Sequence, residues 1–146
     1  MRISTKGTRL AGAMLISLLL APAAQAQPTR VRLDEETTIG GIPVACTGVG
    51  QTKNDPKWGA YPVKVEFAGP NAEYVAGEVL TLQDAKAAPL LSVSCEGPWI
   101  LLKLPTGKPY IVQASLSESE ADRKSATIRA PRHGQARFVL TFPAAR

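Results

Sequence analysis

The sequence predicts an all-β fold: a seven-stranded antiparallel sandwich of two sheets, preceded by a cleaved signal peptide. Three observations carry this. Apolar and polar residues alternate at period two in short runs, as in Tyr61–Ala68, where Val63, Val65 and Phe67 face one way and Lys64 and Glu66 the other. Glycine and proline, twelve of each, fall between the runs as turn signals. No window keeps apolar residues at i, i+3 and i+4 over three turns, so no helix competes.

The first element is the leader. Arg2, Lys6 and Arg9 precede the apolar run Leu10–Ala21, and Ala24-Gln25-Ala26 fits the small-x-small cleavage rule. This predicts a signal peptide over residues 1–26. The apolar run is shorter than the ~18 residues a spanning helix needs, so no transmembrane segment is expected once the leader is gone. The expected location is periplasmic or secreted. The formal charge is +5, and loss of the leader's three basic residues leaves +2. That balance gives no footprint for nucleic acid. Two cysteines, Cys46 and Cys95, form an even set in an exported chain, which predicts a disulfide.

The mature chain follows in order. Residues 27–39 read as a polar arm, with Thr37–Ile39 a short edge strand. The domain occupies residues 40–146. Gly40–Gly50 is glycine-rich with spaced aliphatic residues and is expected as an ordered loop tethered by Cys46. Asn54-Asp55-Pro56 marks a turn. Tyr61–Ala68 is the first clear strand, Glu73–Leu82 the second with a bulge at Gly77, and Leu90–Cys95 the third. The stretch from Gly97 to Val112 then reads as a hairpin and folding centre, with turns at Gly97-Pro98 and Pro105-Thr106-Gly107. Ser117–Lys124 reads as a solvated loop. Ser125–Ala130 and Ala136–Phe142 complete seven strands. The expected core includes Val63, Val65, Phe67, Trp99, Leu102, Leu104, Tyr110 and Val112.

One stretch is familiar. Gly97-Pro98-Trp99, Leu102-Lys103-Leu104-Pro105, Gly107 and the alternation Tyr110, Val112, Ala114 resemble the carboxypeptidase regulatory-like domain family. Upstream, Gly40-Gly41-Ile42-Pro43, Gly48-Val49-Gly50, Tyr61–Ala68 and Glu73-Tyr74-Val75-Ala76 look like a small exported bacterial branch of it. The likeness covers Gly40 to Ala114. It departs at Ala85–Ala88, where the family often has a glycine, and at Lys108-Pro109, which lengthens a turn. It implies a prealbumin-like sandwich, of the kind also found in collagen-adhesin B-type repeats, acting as a non-catalytic accessory or binding module. It does not imply peptidase activity.

The residues themselves offer little chemistry. His133 is the single histidine, and no nucleophile motif accompanies it, so a hydrolase centred on His133 is a remote reading. No catalytic set, metal-ligand spacing or cofactor motif is present. Asp55, Asp84 and Glu96 are scattered acids that would make a calcium site only if loops converged. For carbohydrate, the aromatic candidates are Trp58, Tyr61, Tyr74 and Trp99. Trp58, in a polar loop, is expected to be exposed, whereas Trp99, opening an apolar strand, is expected in the core. Arg132 and His133, flanked by Arg129 and Arg137, form a basic turn whose default reading is a solvated loop and whose alternative is contact with anionic envelope components. Pro62, Lys64 and Lys103 are expected to blunt sheet edges. The expected partner is an envelope protein or polysaccharide.

Overall fold

A computed structural model describes residues 27–116 and 122–143. The predicted leader and residues 117–121 of the predicted loop lie outside the described residues. The fold is all-β, and among the described residues its strands number ten: β1 (Thr29–Val31), β2 (Glu35–Ile39), β3 (Ile42–Thr47), β4 (Val63–Ala68), β5 (Val79–Asp84), β6 (Pro89–Cys95), β7 (Trp99–Leu102), β8 (Pro109–Ser115), β9 (Lys124–Arg129) and β10 (Ala136–Thr141). They form two five-stranded sheets, ordered β1-β6-β5-β8-β9 and β10-β4-β7-β3-β2. Both sheets are mixed, because β1 runs parallel to β6 and β10 parallel to β4. The seven-stranded antiparallel expectation is corrected on both counts.

The extra strands come from the segment before residue 50. The predicted arm contains β1, whose Val31 is buried in the core, and β2. The latter extends the expected edge strand back to Glu35. The glycine-rich segment is not a loop: it forms β3, with Val44, Ala45, Cys46 and Thr47 all buried. Gly40 and Gly41 sit between the paired Ile39 and Ile42 with φ of +57° and +79°. A two-residue hairpin turn of that form needs positive φ at both positions, which glycine supplies without strain. The predicted second strand is shorter than expected: β5 begins at Val79, and Tyr74 makes only an isolated bridge to Ala68.

The predicted hairpin is divided between the sheets. β7 lies between β4 and β3 in the second sheet, while β8 lies between β5 and β9 in the first. The reason is in the run Ile100-Leu101-Leu102, all of it buried. A strand apolar on both faces must be covered on both: the core covers Ile100 and Leu102, and Trp58 and Tyr61 cover Leu101. The chain then crosses between layers through Lys103–Lys108, with Leu104 still in the core.

Between the layers pack Val63, Val65, Phe67, Leu102, Leu104, Tyr110 and Val112, as expected, with Leu80, Leu82, Val93, Ile128 and Phe142. Cys46 on β3 and Cys95 on β6 form the predicted disulfide, with Cα atoms 5.6 Å apart. It joins one sheet to the other through the core.

Candidate functional site

The outer face of the second sheet is covered at one end and open at the other. At the covered end, residues 51–61 fold back over it as two short 3-10 turns, Thr52–Asn54 and Pro56–Ala60. Asp55 caps the second, its carboxylate accepting from the Lys57 N–H at 2.9 Å. Trp58 packs inward with Ala45, Tyr61 and Leu101 as a second apolar cluster, and is only 4% exposed. Its indole N–H donates to the Thr52 carbonyl at 2.7 Å. The Tyr61 hydroxyl donates to Glu36 at 2.7 Å. Burial and this bond push the phenol above its ordinary range. The Gln135 side-chain amide donates to the carbonyls of both Trp58 and Tyr61, at 2.9 Å each. The basic turn carrying the exposed Arg132 and His133 therefore lies next to this segment. The structure brings those four sequence-predicted contact residues into one region, but Trp58 and Tyr61 are packing residues.

The open end centres on Trp99. Because Ile100 and Leu102 face the core, Trp99 and Leu101 face outward. Trp99 is half-buried on the outer face, which corrects its assignment to the core. Its indole N–H is buried and has no hydrogen-bond partner. Gly48, at φ +114°, lies so close that a Cβ there would sit 2.8 Å from both the indole and the Pro98 ring. Any larger residue would push the tryptophan out. Lys64 sits 4.2 Å from the Trp99 ring centroid, a cation–π arrangement.

Tyr74 stands edge-on to Trp99, with centroids 6.0 Å apart and planes at 82°. The turn that carries it is fixed by backbone bonds from Gly69 N–H to Glu73 O at 2.8 Å and from Val75 N–H to Phe67 O at 3.1 Å. Lys53 approaches the Tyr74 ring at 5.9 Å. Beneath these residues lies the buried Glu66 carboxylate. It is held by Lys64 at 2.9 Å and by Arg137 at 2.7 Å, Arg137 being the more exposed partner. Burial opposes ionisation of Glu66, but the two cations prevail and hold its carboxyl below the ordinary range.

Tyr74 (53% exposed), Val49 (49%) and Val139 (42%) are the exposed large hydrophobic residues of the described chain. All three border this face. Tyr74 flanks Trp99, Val139 pairs with Glu66 in register, and Val49 follows the glycine beneath the indole. An apolar patch rimmed by Lys53, Lys64 and Arg137 is the kind of surface that binds. Sequence reading identified Tyr74 among the aromatics but missed Val139 and the Glu66 triad. The usable signal was register: once β10 lies parallel to β4, Arg137 and Val139 fall beside Lys64 and Glu66.

The remaining candidates do not converge. Asp84 accepts from the backbone of its own turn, and Glu96 pairs with Arg30. Among the described residues no group of three or more His, Cys, Asp or Glu is placed to hold a metal ion, and no helix is long and apolar enough to cross a membrane. No protein-family model and no curated protein sequence matches the chain.

Proposed function

We propose that the protein is an exported, non-catalytic β-sandwich module of the bacterial cell envelope, acting by binding through the outer face of its second sheet. The observation that carries this is Tyr74, exposed beside the half-buried Trp99, with Lys53 approaching its ring, Lys64 over the indole and Arg137 paired to Glu66. Export is supported by the leader composition and by the disulfide across the core. From the family likeness we keep the role it implies, an accessory module. The ten-stranded mixed sandwich departs from the family's expected frame.

Tyr74 specifically favours a carbohydrate ligand as the second, finer reading. A sugar ring has an apolar C–H face and a hydroxyl rim. Tyr74 offers an apolar ring for the first, and Lys53 and the exposed Arg137 offer donors for the second. The test is retention of the purified mature protein on peptidoglycan sacculi and on extracted envelope polysaccharide, with chemical cross-linking in periplasmic extract run in parallel. Tyr74→Ala should weaken retention by ~10-fold, the effect of removing one aromatic contact of about 1.4 kcal/mol. No retention on either polysaccharide sinks the carbohydrate reading. Absence of a cross-linked partner as well sinks the binding role.

A further inference from the structure

β10 ends the second sheet, and among the described residues β4 is its only strand partner. Ala136 N–H donates to Pro62 O, and Phe142 N–H donates to Ala68 O, at 2.8 Å each. Backbone groups alternate sides along a strand. The even-numbered residues of β10 therefore bond to β4, and the N–H and C=O groups of Arg137, Val139 and Thr141 point to the open edge. Among the described residues no backbone bond outside the ladders uses them.

Sheet edges are usually blunted. β1 is only three residues long, β2 opens with Glu35 and Glu36, and β9 carries Lys124 and Arg129. The residues expected to do this job do not sit on edges: Lys64 lies on β4, an interior strand that Pro62 precedes, and Lys103 follows β7, another interior strand. β10 has neither proline nor lysine. Its one charge, Arg137, is drawn back onto Glu66 at 2.7 Å, and its Val139 is exposed.

We propose that β10 pairs antiparallel with β10 of a second copy of this chain, about a two-fold axis at Val139. The strand is self-complementary in that register. Val139 meets Val139 of the second copy, Phe138 meets Leu140, Ala136 meets Phe142, and Arg137 meets Thr141. Apolar residues oppose apolar ones and no like charges face each other. Centring the axis on Arg137 would set guanidinium against guanidinium. Centring it on Thr141 would leave the first half of the strand overhanging. The pairing is isologous. It turns two five-stranded sheets into one continuous sheet and places both Trp99 faces on the same side. A single strand pair is a small interface, so the dimer forms weakly, with its population rising with concentration.

Cysteine cross-linking of the full mature chain tests the register. At the axis the pair exchanges hydrogen bonds, with Cα atoms ~5.5 Å apart, within disulfide reach. Val139→Cys should form a reducible covalent dimer under mild oxidation. Arg137→Cys and Thr141→Cys should each fail alone and cross-link when mixed. Light scattering of the wild type should show dimer increasing with concentration. Val139→Pro removes an N–H that the β4 ladder does not use, and Val139→Lys sets like charges at the axis. Each should weaken dimerisation at least ~10-fold, and the lysine variant covers the case in which proline impairs folding. A wild type that stays monomeric at every concentration, or a Val139→Cys chain that cross-links no faster than Thr141→Cys, overturns the proposal.

Discussion

Glu78 is fully buried, and neither of its carboxyl oxygens has a hydrogen-bond partner. Burial pushes its pKa up to about 8, and no other ionisable side chain contributes to the shift. The sign follows from linkage. The folded protein holds this proton where the unfolded chain, near the ordinary carboxyl value of 4.5, has released it. Stability therefore falls as pH rises from the ordinary carboxyl range toward about 8. Glu66 acts in the opposite sense: its lowered pKa stabilises the fold above the ordinary range, and that contribution is lost as pH falls through the folded value. The two together place the stability maximum in mildly acidic solution. Glu78→Gln, neutral and of the same shape, should remove most of the decline between pH 5 and 8, raising the melting temperature at pH 8 by at least ~5 °C. A thermal denaturation series in matched buffers measures this; an unchanged slope would mean that Glu78 does not titrate in that window. Parity alone hints at this burial, since Glu78 falls on the same side as Leu80 and Leu82. It stands between Gly77 and the apolar start of β5, where the backbone of residues 77 and 78 bonds to Cys95 on β6.

At the level of elements, the two tryptophans exchange the places that local pattern gives them. Trp58 has polar neighbours in sequence, yet it is sealed beneath its own turn by Leu101, Ala45 and Tyr61. Trp99 opens an apolar run but takes the outward parity of β7. Period-two reading assigned the faces of β4, β6 and β10 correctly, because on each strand polar residues mark the outward face and apolar ones the inward, although on β4 the outward Glu66 is itself buried. It failed at β7 because the turns of residues 51–61 dry the outer face as well. A trace of this was legible, since Ile100, Leu101 and Leu102 are consecutive, and an unbroken apolar run calls for cover on both sides. Trp58→Ala should therefore behave as a core truncation, costing ~3 kcal/mol or more in urea unfolding. Tyr74→Ala, on the surface, should change stability by less than ~0.5 kcal/mol. Equal losses in the two variants would refute this division of roles.

For the whole molecule, the disulfide is the one covalent cross-link added to the backbone between the layers. Replacing both cysteines by alanine should lower the unfolding free energy by about 2–4 kcal/mol, read from the denaturation midpoint, and reduction of the native protein should do the same. Cysteine count and leader were enough to predict this bridge. Sheet membership was not legible. Alternation says which face of a strand is dry but not which strand lies beside it, so β7 and β8, adjacent in sequence, read as a hairpin although they lie in opposite layers. The parallel pairs were equally hidden, and they have a consequence for timing. Val93 on β6 must be made before Thr29 on β1 has its partner, and Val63 on β4 waits for Ala136 near the far end. Pairings this distant in sequence make for slow folding. Neither sheet can be completed until nearly the whole chain is available. A chain on the export route proposed above would remain threadable through a narrow translocation channel by virtue of its topology, and would lock only on the far side, where its cysteines can oxidise.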